Sequence, residues 1–368
     1  MTAETEEVLA RHVLERTVEL CAVPAPPLDE QDRADVVRGW WHEDGLADVS
    51  QDQVGNLWAT LRPGTGPGLV VAAHLDTVFD REVEHGARRV GDRLVGPGVG
   101  DDTVAVAALS ALDRLLPPTL PGPVWLVATV GEEGLGNLRG VTAALRDPDR
   151  SVASLIALEG NYLGRVNNVG VGSHRIALSL TGPGGHAWED ADHPSVVHVG
   201  GRIIADLDAM PRPEGRTTVN VGTVTGGESI NARARHLRLQ LDLRAESQDA
   251  LDALVASADH VVRSLCAKHE VAAEVEVIGR RPAGSIDPAH RLVTAAERAL
   301  ESAGVHPRRT AASTDANAAY ALGIPAVTLG ITTGELTHTE EEWIDVDPIG
   351  RGLRALAETI VTYTTTEE

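Results

Sequence analysis

The segment Val70–Val78, VVAAHLDTV, decides the fold because an apolar run leads directly into a histidine and an aspartate. Four consecutive apolar residues, Val70–Ala73, are typical of a strand buried on both faces of a sheet. His74 and Asp76 lie two positions apart and so share one face of an extended segment. A histidine beside a carboxylate suits a metal ligand with the acid that orients it. Taken alone, an ordinary histidine at a strand end is the alternative.

A glycine-rich loop, Gly96–Asp102 with the sequence GPGVGDD, is the second place of interest. Its three glycines allow a tight turn that presents Asp101 and Asp102 at the start of the next helix. An aspartate that caps this helix is the alternative, and Asp102 fits that reading.

Two adjacent glutamates, Glu132 and Glu133, follow the apolar strand Val124–Val130 in the sequence TVGEEG. Ionised carboxylates beside an apolar strand need partners. One of them can bind a metal ion while the other accepts a proton from water. The alternative is a solvated loop.

Two more candidate ligands complete the set: Glu159 in ALEGN, after another apolar strand, and His338 in LTHTEEEW. The carboxyl ends of strands are where α/β sheets place ligands, so we expect all five motifs at one edge. Two histidines and at least three acids can hold two divalent ions about 3.5–4 Å apart. Carboxylate and imidazole ligands without cysteine suit zinc, cobalt or manganese.

The order of elements predicts a mixed α/β sheet with helices on both faces. Buried strands at Gly68–Ala73, Val124–Val130 and Val152–Leu158 alternate with helices such as Thr103–Leu116. Residues 174–278 change character, and their pattern reads β-α-β-β-α-β, a compact sandwich of its own. From Pro288 the α/β pattern resumes.

These changes predict an interrupted catalytic domain. Its first part is residues 1–172, an inserted domain covers residues 173–279, and the second part is residues 280–368.

The composition limits the classes of partner and the cellular compartment that we expect. The net charge of -22 repels phosphates and anionic lipids, so nucleic acid and membrane surfaces are excluded as main partners. The two distant cysteines, Cys21 and Cys266, fit free thiols in a reducing compartment. The sequence shows no signal peptide and no membrane-spanning run, and so we expect a cytoplasmic protein.

The five motifs resemble, in order and over nearly the whole chain, those of the aminoacylase, carboxypeptidase and acetylornithine deacetylase metallopeptidases (metallopeptidase family 20). The resemblance implies that His74 binds metal, that Asp76 orients it and that Asp101 bridges both ions. It implies that Glu132 is the general base. The remaining implied ligands are Glu133, Glu159 and His338. The implied catalytic fold is zinc-exopeptidase-like.

The inserted domain resembles the family's ferredoxin-like lid, which usually mediates dimers, so the resemblance implies a homodimer. The turn Gly182–Ala187, GPGGHA, makes His186 the candidate oxyanion stabiliser, within the protomer or across the dimer. Four residues are implied to bind substrate: Asn231, Arg244, Asp315 and Asn317.

Three departures from the family pattern concern substrate preference. Thr103 stands where the family usually has Lys, Asn231 is not followed by the frequent Pro, and the loop before His338 has fewer glycines. The expected activity is hydrolysis of a peptide or N-acyl amide bond in a small substrate with a free carboxylate. An aminopeptidase, a non-catalytic binding relative and a monomer are the alternatives.

Overall fold

The structure, a computed structural model, describes residues 3–365. The outer ends of the predicted domains, residues 1–2 and 366–368, lie outside the described residues. The chain divides into two compact units, a first unit of Met1–Gly170 with Ser285–Glu368 and a second unit of Val171–Gly284. The predicted insert, residues 173–279, falls inside the second unit.

Helices and strands alternate along most of the described chain. Its helices are α1 (Ala3–Cys21), α2 (Gln31–Glu43), α3 (Val104–Leu109), α4 (Arg139–Ala144), α5 (Val196–Ala209), α6 (Gln248–Lys268), α7 (Arg291–Ser302), α8 (Ala316–Ala321) and α9 (Ile349–Thr365). Its strands are β1 (Ala47–Gln51), β2 (Leu57–Arg62), β3 (Gly68–His74), β4 (Arg88–Val90), β5 (Arg93–Val95), β6 (Val124–Thr129), β7 (Val152–Leu158), β8 (Arg165–Gly170), β9 (Gly172–Thr181), β10 (Thr217–Gly226), β11 (His236–Ala245), β12 (Ala272–Arg281), β13 (Gly284–Ser285), β14 (Arg308–Ala312), β15 (Ala326–Leu329), β16 (Gly334–Glu335) and β17 (Trp343–Asp345).

The first unit is built on a mixed sheet, as predicted. Among the described residues this sheet has nine strands in the order β1-β2-β6-β3-β7-β15-β8-β13, with β14 paired to β8. Strand β3 is parallel to both β6 and β7, and β15 is parallel to β7. Strands β1 and β2 are antiparallel at one edge. The carboxyl ends of the central strands therefore lie at one edge of the sheet.

Helices cover both faces of this sheet, which explains the unbroken apolar run in β3. Val71 and Ala73 join a core that includes residues of α1, α2, α3, α7 and α9. Val70 and Ala72 point to the opposite face and pack in a second core with residues of α4 and α8. Because successive side chains alternate between the faces, each position along the strand must be apolar.

A small antiparallel sheet shapes the loops beyond the strand ends. Strand β17 pairs with β16 on one side and with β5 on the other, and β4 pairs with β5. Asp101 follows β5, and His338 lies in the loop between β16 and β17. The pairing therefore joins two loops that are distant in sequence.

The second unit is a four-stranded antiparallel sheet in the order β10-β11-β9-β12, with α5 and α6. Its chain order is the predicted β-α-β-β-α-β. Ile176, Leu178 and Leu180 alternate along β9 and are buried in one core with apolar residues of α5 and α6. The predicted fold class is confirmed in both units.

One predicted helix is shorter than expected. The pattern predicted Thr103–Leu116, whereas α3 ends at Leu109 and a short 3-10 turn follows at Leu112–Arg114. The Ser110 hydroxyl donates a hydrogen bond to the Ala107 carbonyl oxygen at 2.6 Å, and such local bonds compete with regular helix.

Two helical glycines offer a matched test of packing in the first unit. A Cβ at Gly352 in α9 would clash with the carbonyl oxygen of Ile331, whereas a Cβ at Gly39 in α2 would meet nothing within 4 Å. Replacing an open helical glycine by alanine stabilises by about 0.5–1 kcal/mol, and overpacking costs about 1–3 kcal/mol. We expect Gly39→Ala to raise, and Gly352→Ala to lower, the free energy of unfolding measured in urea. Equal effects of the two changes would contradict this packing.

Candidate metal centre

His74 ends β3 with a side chain that is 2% exposed. Its Nδ1 lies 2.9 Å from the backbone carbonyl oxygen of Asp76. A carbonyl oxygen only accepts, so Nδ1 carries the hydrogen, and the ring can present a lone pair at Nε2 once that nitrogen has lost its proton to make room for a metal ion. That Nε2 lies 3.0 Å from Oδ1 of Asp101, yet it makes no aligned hydrogen bond within the described residues. A buried lone pair facing a carboxylate suits a shared metal ion.

Asp76 organises the next ligand loop. Its fully buried carboxylate accepts hydrogen bonds from the backbone N–H groups of Glu132 at 3.0 Å and Glu133 at 2.7 Å. Its Oδ1 also lies 3.6 Å from Nδ1 of His74. One side chain thereby fixes the backbone of both glutamates relative to the end of β3.

Asp101 lies between the two histidines. Its Oδ1 is 3.0 Å from Nε2 of His74, and its Oδ2 is 3.1 Å from Nε2 of His338. The same His338 nitrogen lies 3.1 Å from Oε1 of Glu133. Two ligands held by one tetrahedral zinc at about 2.0–2.1 Å would be separated by about 3.3 Å. The spacing therefore fits a carboxylate that bridges two ions.

Glu159 follows β7 and lies close to His74. One ligand atom each from His74, Asp102 and Glu159 falls within 4.8 Å of the others. Two further groups have the same compactness: His74 with Glu132 and Glu133, and Asp101 with Glu133 and His338. All five predicted ligands thus come together at the predicted edge of the sheet.

Asp102 has a different environment from Asp101. Its Oδ2 accepts from the backbone N–H of His74 at 3.1 Å, and its Oδ1 accepts from that of Gly160 at 2.9 Å. Both oxygens therefore tie ligand-bearing strand ends together. Asp102 does not cap α3, because Thr103 precedes that helix.

The charges of this cluster need cations. Burial raises the pKa of Glu159 well above its ordinary value, and the charge of Asp101 raises it further. Burial also acts to raise the pKa of Asp101, but the imidazoles of His338 and His74 outweigh it and lower that pKa. Contacts with Asp101 and Glu133 raise the pKa of His338 to about 10. Divalent ions complete such a set of carboxylates and imidazoles.

Glu342 is a residue of this centre that the sequence did not single out. Its fully buried carboxylate accepts hydrogen bonds from the backbone N–H groups of Gly98 at 3.2 Å and of Gly100 and Asp101 at 2.9 Å each. It belongs to the same β16–β17 connection as His338 and thus ties that loop to the Asp101 loop. The only sequence signal was a run of three glutamates, which does not reveal the buried one.

Thr103, one of the three departures from the family pattern, also has a charged neighbour. Its buried hydroxyl lies 3.2 Å from Nη1 of Arg33, a fully buried residue of α2 that the sequence did not single out.

The predicted substrate residues of the first unit are interior. Asp315 is 5% exposed and its Oδ2 accepts from the Thr129 hydroxyl at 2.8 Å. Asn317 is fully buried and its Oδ1 accepts from the backbone N–H of Thr314 at 3.0 Å. These contacts position the loop before α8, and a role in binding substrate stays a prediction.

The second unit carries the other three candidates. Exposed His186 is joined to the Asn231 segment, because the backbone N–H of Ala187 donates to the Asn231 carbonyl oxygen at 2.8 Å. Arg244 lies on β11, and its Nε donates to Oδ2 of Asp242 at 2.8 Å. Their catalytic and binding roles stay predictions.

A mixed α/β sheet whose strand ends gather two histidines and several buried carboxylates is the arrangement expected of a metal-dependent hydrolase. The chain belongs to peptidase family M20/M25/M40, whose family model matches residues 70–362. Membership confirms the family expected from the motifs and the class of reaction, hydrolysis of C–N bonds by a metallohydrolase.

Solved structures share this fold over their full length. An aminopeptidase PepT from Bacillus cereus is 22% identical, with a TM-score of 0.80 over 97% of this chain and 99% of that one. A tripeptidase from Staphylococcus aureus is 20% identical, with a TM-score of 0.82 over the same shares. The YxeP protein of Bacillus subtilis, described as a dinuclear metal binding peptidase, is 17% identical, with a TM-score of 0.72 over 98% and 100%. No curated protein sequence matches the chain.

The two neighbouring glutamates Glu341 and Glu342 give a matched test of the hydrogen bonds that join the His338 loop to the Asp101 loop. Glu342→Gln replaces one acceptor oxygen by an amide group that faces backbone donors, so a buried N–H loses its partner. We expect the free energy of unfolding to fall by about 1–3 kcal/mol. The exposed Glu341, changed to Gln, should alter it by less than about 0.5 kcal/mol. Denaturant unfolding of both variants measures the difference, and an unaffected Glu342→Gln protein would refute the tie.

Proposed function

We propose that the protein cleaves a peptide or N-acyl amide bond in a small substrate with a free carboxylate, using two divalent metal ions. The observation that carries this proposal is the Asp101 carboxylate, whose two oxygens face the Nε2 atoms of two different histidines. Membership of a peptidase family supplies the reaction class.

The ligands divide into two sets that share Asp101. We assign His74, Asp101 and Glu159 to one ion, and Asp101, Glu133 and His338 to the other. When bound, such an ion pair polarises the amide carbonyl and lowers the pKa of water. Zinc fits these ligands, with cobalt and manganese as alternatives. The buried lone pair of His74 Nε2 supports the assignment.

Glu132 is the proposed general base. Its side chain is 3% exposed, and its backbone N–H is fixed by Asp76 next to the ligand Glu133. The Glu132 carboxylate takes the proton from the attacking water and passes it to the leaving nitrogen. Asp76 holds the backbone of Glu132 at a fixed distance from His74. It is therefore a positioning residue and does not contact the substrate.

His186 is the proposed oxyanion stabiliser, and its hydrogen bonds support that role. Its Nδ1 accepts from the backbone N–H groups of Trp188 at 3.3 Å and Glu189 at 3.4 Å. The neutral ring therefore carries its hydrogen on Nε2, where it can donate to a developing negative charge. The exposed side chain leaves this donor accessible.

Arg244 and Asn231, both in the second unit, are proposed to bind the substrate. The guanidinium of Arg244 is suited to grip a carboxylate with two hydrogen bonds. Asp242 holds it at 2.8 Å, which orients the group but also competes with a substrate carboxylate. Asp315 and Asn317 complete the proposed set by shaping the loop before α8.

The assembly and location proposed are a homodimer in the cytoplasm. Strand β10 is an edge strand of the second unit and is largely exposed, as a surface for pairing would be. Cys21 and Cys266 are free and buried, which suits a reducing compartment. No helix within residues 3–365 has the length and apolarity needed to cross a membrane.

An aminopeptidase acting on di- or tripeptides is the second candidate. The names of two similar structures, an aminopeptidase and a tripeptidase, favour it. A non-catalytic relative is disfavoured because every proposed ligand and Glu132 are present and brought together.

Replacing Glu132 separates catalysis from metal binding. We expect Glu132→Gln to lower kcat by about 10²–10⁴-fold, because the substituted amide cannot accept a proton. Metal content measured by mass spectrometry should stay at two ions per chain. Glu341→Gln, at an exposed position, is the control and should leave kcat unchanged. Near-normal turnover in the Glu132 variant would sink the assignment of the base.

A panel of candidate substrates identifies the substrate class. Hydrolysis is assayed after a chelator has removed bound metal and zinc, cobalt or manganese has been added back. We expect an N-acyl amino acid to be cleaved faster than its C-terminal amide and than a free dipeptide. Arg244→Ala should shrink the preference for carboxylate over amide by about 10-fold or more, since a charge-assisted hydrogen bond is lost. Preference for the free dipeptide would favour the aminopeptidase, and activity indifferent to chelation would contradict the metal site.

A further inference from the structure

A buried guanidinium lies behind the proposed ligands in the first unit. Arg33 on α2 is fully buried. Its Nε donates to the Val23 carbonyl oxygen at 2.8 Å, and its Nη1 donates to the Leu75 carbonyl oxygen at 3.0 Å and lies 3.2 Å from Oγ1 of Thr103. One side chain thus joins the α1–α2 connection, the end of β3 and the loop after Asp101.

These contacts reach both proposed ligand segments. Leu75 lies between His74 and Asp76, and Thr103 lies two residues after Asp101. The Arg33 guanidinium therefore fixes the backbone next to His74 and the Thr103 side chain two residues after Asp101. Ligands that come from separate elements need such ties if they are to be in place before an ion arrives.

Arg33 carries its charge without a directly bonded carboxylate. Among the described residues, its hydrogen-bond acceptors are two carbonyl oxygens and one hydroxyl, and its Nη2 makes no hydrogen bond. A buried guanidinium stays protonated in proteins, and an uncompensated buried charge is very unfavourable. The compensation must come from charges at longer range.

The compensating charges are two acids that serve as supports of the centre. The buried Cys21 thiol, Asp76 and Asp102 all act electrostatically on Arg33, and burial keeps the thiol neutral by raising its pKa to about 11. The two acids lie beside residues that Arg33 bonds, since Asp76 follows Leu75 and Asp102 precedes Thr103. Their oxygens accept backbone N–H groups, of Glu132 and Glu133 for Asp76 and of His74 and Gly160 for Asp102. Neither acid belongs to the proposed ligand set.

We propose that Arg33 is a positioning residue of the metal centre, a fixed internal cation that balances Asp76 and Asp102 while it ties the His74 and Asp101 segments together. The positioning part rests on the proposed function, whereas the charge balance holds for the metal-free chain. The Arg33 guanidinium lies against the side chain of Thr103. A positively charged side chain at position 103 could therefore place its charge in the same space.

The experiment relocates the charge. Arg33→Ala removes the cation and opens room, and Thr103→Lys combined with it returns a cation from the other side. The combination of Arg33→Ala with Thr103→Met fills similar space without charge and is the matched control. Urea unfolding of the metal-free proteins ranks the two double variants. Ordinarily a buried lysine is far less favourable than a buried methionine, so packing alone ranks the methionine variant higher.

We expect the opposite order, with the lysine double variant unfolding at the higher urea concentration. A methionine double variant of equal or greater stability would overturn the charge balance. If Arg33→Ala alone fails to fold, recovery of folded protein by Thr103→Lys but not by Thr103→Met gives the same support. Failure of both double variants to recover folding would count against the proposal.

Zinc affinity, measured by competition with a chelating dye, tests the positioning. We expect Arg33→Met to weaken it by about 10-fold or more, as losses of residues that support metal ligands do. Arg62→Met is the control, because Arg62 is also buried and bonded to carbonyl oxygens, those of Pro117 and Leu116 among them. It should leave zinc affinity unchanged. Unaltered affinity in Arg33→Met would refute the positioning role, whereas absence of zinc binding by the unmodified protein would refute the proposed function instead.

Discussion

Mutual repulsion among buried carboxylates at one sheet edge is the constraint on which the rest of the first unit depends. The buried acids there include Asp76, Asp101, Asp102, Glu132, Glu133, Glu159 and Glu342. Such a group is stable only if each member has donors or cations beside it. Backbone N–H groups satisfy Asp76, Asp102 and Glu342, and imidazoles lie beside Asp101 and Glu133. The remaining demand for positive charge makes this edge a candidate metal centre.

The fold meets this demand through strand direction. Because β3, β6 and β7 run parallel, His74, the paired glutamates and Glu159 all leave the sheet at the same edge. The small sheet pairs β5 with β17 and so brings the loops that carry Asp101 and His338 to the same edge. Neither part would suffice alone, since the parallel strands supply one histidine and the small sheet supplies the other.

Much of this arrangement could be predicted from the sequence, because apolar strands that end in acids or histidines are visible as local patterns. The residues that lie behind the ligands could not. Glu342 looks like its exposed neighbour Glu341 in the chain, and only the fold turns it towards three backbone donors. Arg33 lies in a helix of mixed polarity, and two of its three hydrogen-bond partners are 42 and 70 positions away. Short strands such as β4 and β16 were missed because two or three residues carry no periodicity.

The two histidines differ in their access to water, since the side chain of His74 is 2% exposed and that of His338 is 54% exposed. Metal ions held by these two histidines would therefore differ in their access to water. An ion on His338 would face the surrounding medium, whereas an ion on His74 would be enclosed by protein.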